Sequence, residues 1–379
     1  MSGKPSPGPR PTPRYAASFL LWPLIVAASA SEAMAAQAAD FARLVAGPEV
    51  APAPGAVAAW ATPHRVRLDM PSLALRDFST DDAGECFGTP ALVCAPFALH
   101  GASLADFAPG HSLVAALLGN GCPRLFVTDW HSATREMRLL TIDNYLADLN
   151  VAVDEAGTPV DLVGLCQGGW MALLYAARFP AKVRKLVLAG APIDLGVGAS
   201  LMSLAARHLP LGLFDEIVRL GEGRVLGQRV LDLWDPALQG REGAAVLQLP
   251  SANGPEAAAI LEQFRAWYDT TVDLPGAYYH QVVSWLFKEN RLARGRFMAL
   301  GREVDLHDVR HPLFLLAARD DELVSAEQLM AAARLVGTPA AEIATAAEPC
   351  GHLGLFMGAR TVKGAWVDVA RWLAQGSST

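Results

Sequence analysis

The sequence predicts an α/β protein, a mostly parallel sheet covered by helices on both faces and interrupted by an inserted helical lid. Three observations carry that expectation. Short apolar runs of strand length alternate with segments of helical spacing from about residue 64 to 195, the pattern of parallel strands joined by crossover helices. The alternation stops between residues 196 and 300 and then resumes. One strand-to-helix junction reads DLVGLCQGGW, residues 161 to 170, with a cysteine between flanking glycines.

The elements follow in chain order. Residues 1–14, MSGKPSPGPRPTPR, are too rich in proline, glycine and serine to pack, and a disordered lead is expected there. The alanine-rich continuation to Leu44 reads as one amphipathic helix, so residues 1–50 form a lead plus an apolar N-terminal helix, which either packs on the body or adheres to a hydrophobic surface. Lys4, Arg10 and Arg14 before the apolar run, and Ala33-Met34-Ala35 after it, also fit an export signal. The run is short for a bilayer span, and Pro23 and Glu32 fall in it or just beyond.

Residues 51–195 form the first half of the core. HRVRLDM and LALRDF make an opening hairpin and ALVCAP a buried strand. SLVAALLGNG is a helix with a glycine stop, RLFVTDW a strand, and TIDNYLADLNVAVDEAG a helix begun by a threonine cap. VDLVGLC, a helix from Gly168 to about Phe179, and VRKLVLAGAP complete this half. Residues 196–300 are mainly helical by pattern, most clearly in PEAAAILEQFRAWYDT, and carry Trp267, Tyr268, Tyr278, Tyr279, Trp285 and Phe287. Residues 301–379 return to the core with HPLFLLAARDDELVS, AEIATAAEPCGHLGLF and a closing helix, VKGAWVDVARWLAQ.

Composition excludes several classes. A formal net charge of −7 with no long basic run argues against nucleic acid as a partner. With 52% hydrophobic and 18% charged residues, the chain is apolar for a soluble protein but lacks the pattern of a polytopic membrane protein. The five cysteines, Cys86, Cys94, Cys122, Cys166 and Cys350, are odd in number and have neither a CxxC pair nor metal-ligand spacing. No disulfide framework, metal or bound cofactor is expected.

Gly164-Leu165-Cys166-Gln167-Gly168 fits the turn on which an α/β hydrolase carries its nucleophile. Glycines at positions −2 and +2 keep Cβ atoms out of a crowded place, and the strand before and helix after are the context the turn requires. The Gln167 N–H points toward the reacting carbonyl as an oxyanion donor, and a second donor is expected after ALVCAP, at Phe97 or Ala98. Acid and base should follow at loops beyond later strands. LFLLAARDDELVS offers Asp320 and Asp321; Asp321 is favoured because it stands three residues before the apolar Val324, with Asp320 the alternative. CGHLGLF supplies His352 between Gly351 and Gly354, so nucleophile, acid and base appear in the expected order. Cys350 lacks an elbow and is expected to be an inert thiol.

Sulfur at the turn changes the chemistry. A free thiol of pKa ~8.5 is only slightly ionised at neutral pH, but a neighbouring imidazole can take its proton. Attack on a thioester yields another thioester of nearly equal energy, so the acyl group stays activated for a second acceptor. A serine would form an oxygen ester and lose that activation. Acyl transfer is therefore favoured over plain hydrolysis.

LVGLCQGG resembles the lipase-like box of polyhydroxyalkanoate synthases, especially the short class III catalytic subunits. The likeness extends upstream through PGHSLVAALLGNGCPRLFVTDWHSATREMRLLTIDNYLADL, and downstream through GREVDLHDVRHPLFLLAARDDELV and CGHLGLFMG, covering roughly residues 64 to 375. It implies Cys166 as the acyl-carrying nucleophile, His352 as its base and Asp321 as the carboxylate that orients His352 or assists with the incoming hydroxyl. It further implies a 3-hydroxyacyl-CoA substrate, a polyester product that separates as granules, no cofactor, and a homodimer or an accessory subunit. A cytoplasmic, granule-associated location follows, with export the alternative.

The chain departs from that family at three places. Trp170 replaces a small residue four positions after the nucleophile and is expected to narrow the acyl channel. Ala191-Pro192-Ile193-Asp194 only approximates the family's Thr-Pro-Val-Asp, and WYDTTVDLPGAYYHQVV looks more like the related intracellular depolymerases, which also use a cysteine. A depolymerase is the competing reading, and a granule-associated binding protein a third. Lys288, Arg291, Arg294, Arg296 and Arg302 are candidates to grip CoA phosphates, or else line a solvated helix face.

Overall fold

The computed structural model describes residues 60–80, 88–231, 243–251 and 254–376. The expected lead and apolar helix of residues 1–50, and Cys86, lie outside the described residues.

Eight strands form the main sheet: β1 (Arg65–Asp69), β2 (Leu73–Asp77), β3 (Ala91–Cys94), β4 (Leu125–Trp130), β5 (Val160–Leu165), β6 (Val183–Ala189), β7 (Leu313–Ala318) and β8 (Ile343–Glu348). Their order is β1-β2-β4-β3-β5-β6-β7-β8. β2 pairs antiparallel with both β1 and β4, and every other pairing is parallel. The central strands are apolar along their whole length because both faces are covered. Alternation still decides which residue goes where: Leu162, Leu186, Leu188, Leu313 and Leu315 fill one face, and Val163, Leu165, Val187, Phe314 and Leu316 the other. Each such side chain contributes about 1.5–3 kcal/mol.

The first face is covered by α2 (Ile142–Ala156) and α3 (Gln167–Arg178), and the second by α1 (Leu113–Leu118) and the closing helix Ala365–Ala374. The predicted starts and stops hold locally. Ser112 caps α1 by accepting from Ala115 N at 2.8 Å, and Thr141 N donates to Asn144 Oδ1 at 2.9 Å in a capping box. The helix after the elbow begins at Gln167 and ends at Arg178, one residue earlier at each end than expected.

The closing helix is tied down at its carbonyl end by buried Lys185, whose Nζ donates to Trp372 O at 2.6 Å and Gln375 O at 2.7 Å. A cation at a helix C-terminus satisfies carbonyls that have no intrahelical donor. Lys185→Met is expected to lower stability by about 2 kcal/mol, measured by denaturant midpoint, because apolar replacement leaves those carbonyls without their donor.

The stretch between β6 and β7 is mainly helical, with α4 (Leu201–His208), α5 (Leu211–Leu220), α6 (Pro255–Asp269) and α7 (Gly276–Gln281), the last running into a π-helical turn, Val282–Lys288. It also contains two ribbons that the sequence did not predict, Arg224–Val225 with Leu274–Pro275 and Phe297–Ala299 with Arg302–Val304. Strands of two or three residues are too short to show a period-two pattern. Asp194 ties the start of this stretch to its later part: its Oδ1 accepts from Gly196 N at 2.9 Å and Asn290 Nδ2 at 2.8 Å, and its Oδ2 accepts from Arg334. Asn290 Oδ1 in turn accepts from Leu195 N at 3.2 Å. Among the described residues no helix is long and apolar enough to cross a membrane.

Candidate active site

The strand β5 ends where the chain must reverse into α3, and Cys166 makes that reversal with φ 48° and ψ −118°. A non-glycine residue in that region costs on the order of 1–3 kcal/mol, so the surroundings must hold it there. They do so with the Cys166 N–H on Ala189 O at 2.8 Å and the Gly169 N–H on Cys166 O at 2.9 Å. The glycines are required sterically. A Cβ at Gly164 would lie 2.5 Å from Gly169 Cα, one at Gly168 2.1 Å from Cys94 O, and one at Gly169 2.3 Å from the Ala191 Cβ.

This packing separates Cys166 from its counterparts. Cys94, Cys122 and Cys350 are buried, and burial pushes the first two thiols up to about 12 and the third to about 11. Cys166 alone among the described cysteines is partly exposed. Cys350 is buried and carries no elbow geometry, the setting in which the sequence reading expects an unreactive thiol.

His352 lies beside the elbow. Its Cε1 stands 3.4 Å from where a Cβ on Gly190 would be, and Gly190 follows Ala189, the acceptor of the Cys166 N–H. His352 Nδ1 is 2.7 Å from Asp321 Oδ2, with side-chain exposures of only 4% and 1%. Asp321 Oδ1 accepts from Leu323 N and Val324 N, both at 2.9 Å, so both carboxylate oxygens are engaged and the acid is fixed. The turn also explains the three-residue offset to Val324. Asp320 is exposed, and its N–H goes to Cys350 O at 3.1 Å; the structure brings Asp321 to the histidine.

Burial pushes the His352 ring down, but the Asp321 charge and the Cys166 side chain outweigh it and hold the imidazole well above its usual value. Asp321→Asn removes the larger upward effect and leaves burial opposed by the Cys166 side chain alone. The ring of that variant is expected to titrate below that of the wild-type chain, followed by histidine NMR; an unchanged titration would mean Asp321 does not set its charge.

Gln167 is the first residue of α3, where an N–H has no intrahelical acceptor. Its side-chain Oε1 accepts from Trp170 Nε1 at 2.6 Å. That bond corrects the expectation for Trp170. The indole is fully buried and packs on Phe297 at 6.1 Å between centroids, so it anchors Gln167 from within the core and does not line an open channel. Phe97 follows β3, whose Cys94 and Ala95 backbone is the surface against which Gly168 packs, so its loop adjoins the elbow. Its ring is buried among Tyr145 at 4.6 Å, Tyr278 at 5.2 Å and Trp130 at 6.0 Å.

The five basic residues do not form one free cluster. Lys288 Nζ donates to Leu209 O at 2.6 Å, and Arg291 donates to Glu289 at 2.7 Å while lying over the Trp285 ring. Arg294, Arg296 and Arg302 are exposed. The sequence reading also missed the hydroxyls of Tyr145 and Tyr278, both buried and without a hydrogen-bond partner among the described residues. Nothing in the sequence pattern signals an unspent hydroxyl at either position.

Residues 244–372 match the family model described as PHB de-polymerase C-terminus. The chain is 29% identical over 72% of its length to the poly(3-hydroxyalkanoate) polymerase subunit PhaC of Synechocystis sp., covering 74% of that protein. It is 26% identical to the like-named subunit of Allochromatium vinosum, over 71% of this chain and 76% of that one. Among solved structures it is similar to a monoacylglycerol lipase of Paleococcus ferrophilus, with a TM-score of 0.50 and 15% identity, over 76% of this chain and 96% of that one. The fold is that of the α/β hydrolases, and the resemblance read from the elbow and partner loops is borne out.

Proposed function

We propose that this relative of the poly(3-hydroxyalkanoate) polymerase subunits is itself a cysteine acyltransferase that polymerises 3-hydroxyacyl-CoA thioesters. The observation that carries the reading is a partly exposed thiol on a strained elbow, beside a buried imidazole tied to a carboxylate. Cys166 Sγ attacks the thioester carbonyl, the bond from that carbon to the CoA sulfur breaks, and CoA leaves as the thiol with the proton that His352 took from Cys166. His352 then takes the proton of an incoming hydroxyl, whose oxygen attacks the acyl-cysteine. The new ester forms, the Cys166 bond breaks, and the thiol is restored when the proton returns. Asp321 holds His352 in the tautomer with Nδ1 protonated and favours its charged form. The N–H groups of Gln167 and Phe97 are the donors for the oxyanion in both steps.

The polymerases it resembles are named as subunits, and the proposal includes a second copy or an accessory chain, acting at the surface of the polyester granule. The family model named for a depolymerase favours a second reading, a thiol hydrolase of the same polyester. Incubating purified protein with 3-hydroxybutyryl-CoA decides between them. CoA release accompanied by polymer is the expected result. Monomer release from native granules, with no CoA released from the thioester, would replace the synthase by the hydrolase.

A further inference from the structure

Tyr278 belongs to the insertion, in the first turn of α7, yet its ring packs on Phe97 at 5.2 Å and on Tyr145 at 5.0 Å. Tyr145 comes from α2, and Trp130, 5.5 Å from Tyr145, from the end of β4. Four aromatic rings from three core elements and the insertion therefore close around the loop that adjoins the elbow. Tyr278 is 1% exposed and Tyr145 0%, and neither hydroxyl has a partner among the described residues. Burial raises the Tyr278 hydroxyl well above its usual value, with Tyr145, Cys94 and Cys166 adding to the effect, so the group stays protonated.

A buried hydroxyl with no acceptor is costly and calls for an explanation. Here the described residues offer none, while in the acyltransferase reading the backbone N–H groups of Gln167 and Phe97 serve the carbonyl oxygen of a bound acyl group. A 3-hydroxyacyl chain carries one further polar atom near the sulfur, the oxygen on its third carbon, and an apolar wall would leave that oxygen without a donor. Resting on the acyltransferase reading, we propose that the Tyr278 hydroxyl donates a hydrogen bond to the C3 oxygen of the acyl group held on Cys166, and thereby selects 3-hydroxyacyl over unsubstituted acyl thioesters. The C3 oxygen is a hydroxyl in the monomer and an ester oxygen in the grown chain. Both accept a hydrogen bond, so one donor serves priming and elongation.

The test is a comparison of two thioesters on two proteins. CoA release is measured in a single turnover from 3-hydroxybutyryl-CoA and from butyryl-CoA, which can acylate Cys166 but offers no hydroxyl for growth. The wild-type chain is expected to prefer the hydroxylated substrate. In Tyr278→Phe, which keeps the ring, that preference is expected to fall about ten- to hundredfold through slower reaction of 3-hydroxybutyryl-CoA, with butyryl-CoA unchanged. Loss of rate on both substrates alike, or an unchanged preference, would overturn the assignment while leaving the acyltransferase intact. No CoA release from either substrate by the wild-type chain would overturn the acyltransferase reading and this proposal with it.

Discussion

Cys166→Ala is expected to cut CoA release from 3-hydroxybutyryl-CoA by about 10³-fold or more and to abolish polymer, because the atom that carries the acyl group is gone. The fold should be little changed, since Cys166 is only partly buried and alanine fits the space. Cys166→Ser is the more informative variant. Serine can be deprotonated by His352 and attack the same carbonyl, but its product is an oxygen ester, whose transfer to another hydroxyl is slower than transfer from a thioester. The expected result is slow release of about one equivalent of CoA without polymer, read by thiol titration and gel permeation. Full-length polymer from the serine variant would remove the argument that sulfur is there to keep the acyl group activated.

Gly168→Ala has the next largest expected effect, and it acts on the fold and the site together. The added methyl would sit 2.1 Å from Cys94 O and 2.7 Å from Ala95 O. These are backbone atoms of a central strand and its exit, so no side chain can swing aside. Relief requires α3 to move away from β3, which breaks the elbow and carries the Phe97 loop with it. A loss of about 3 kcal/mol or more is expected, seen as a lower denaturant midpoint, together with loss of activity under conditions where the variant remains folded. By contrast, a Cβ at Gly212, in the second position of α5, meets nothing within 4 Å, so Gly212→Ala is a control expected to be neutral or stabilising.

Much of this was legible in the chain because local rules and global fold agree along the core. Strand-length apolar runs at β3 through β7 sit between helices whose caps and stops are themselves readable, and the elbow glycines announce a crowded turn. Asp321 and His352 were legible for a topological reason: loops after successive parallel strands end at the same edge of a sheet, so order in sequence became proximity in space. What was not legible depended on contacts between distant elements. Trp170 reads as an oversized residue near a channel, and only the position of the Gln167 amide and Phe297 reveals it as an anchor. The unspent hydroxyls of Tyr145 and Tyr278 are defined by what does not face them, which no single segment encodes. The basic residues near 290 looked like one cluster on paper, but partners from Leu209 and Glu289 divide them.

The Asp194 carboxylate bears on how such a chain diversifies. Leu195 on the way in donates to Asn290 on the way out, and Gly196 and Asn290 both donate to that one acid. The helical polypeptide between them packs on the core but enters and leaves it beside one carboxylate, so its exchange for a longer, shorter or differently lined one demands no rethreading of the sheet. Cys166, Asp321 and His352 stand on the core side of that junction and Tyr278 on the other, so the proposed reaction and the proposed choice of monomer reside on separately exchangeable stretches of chain.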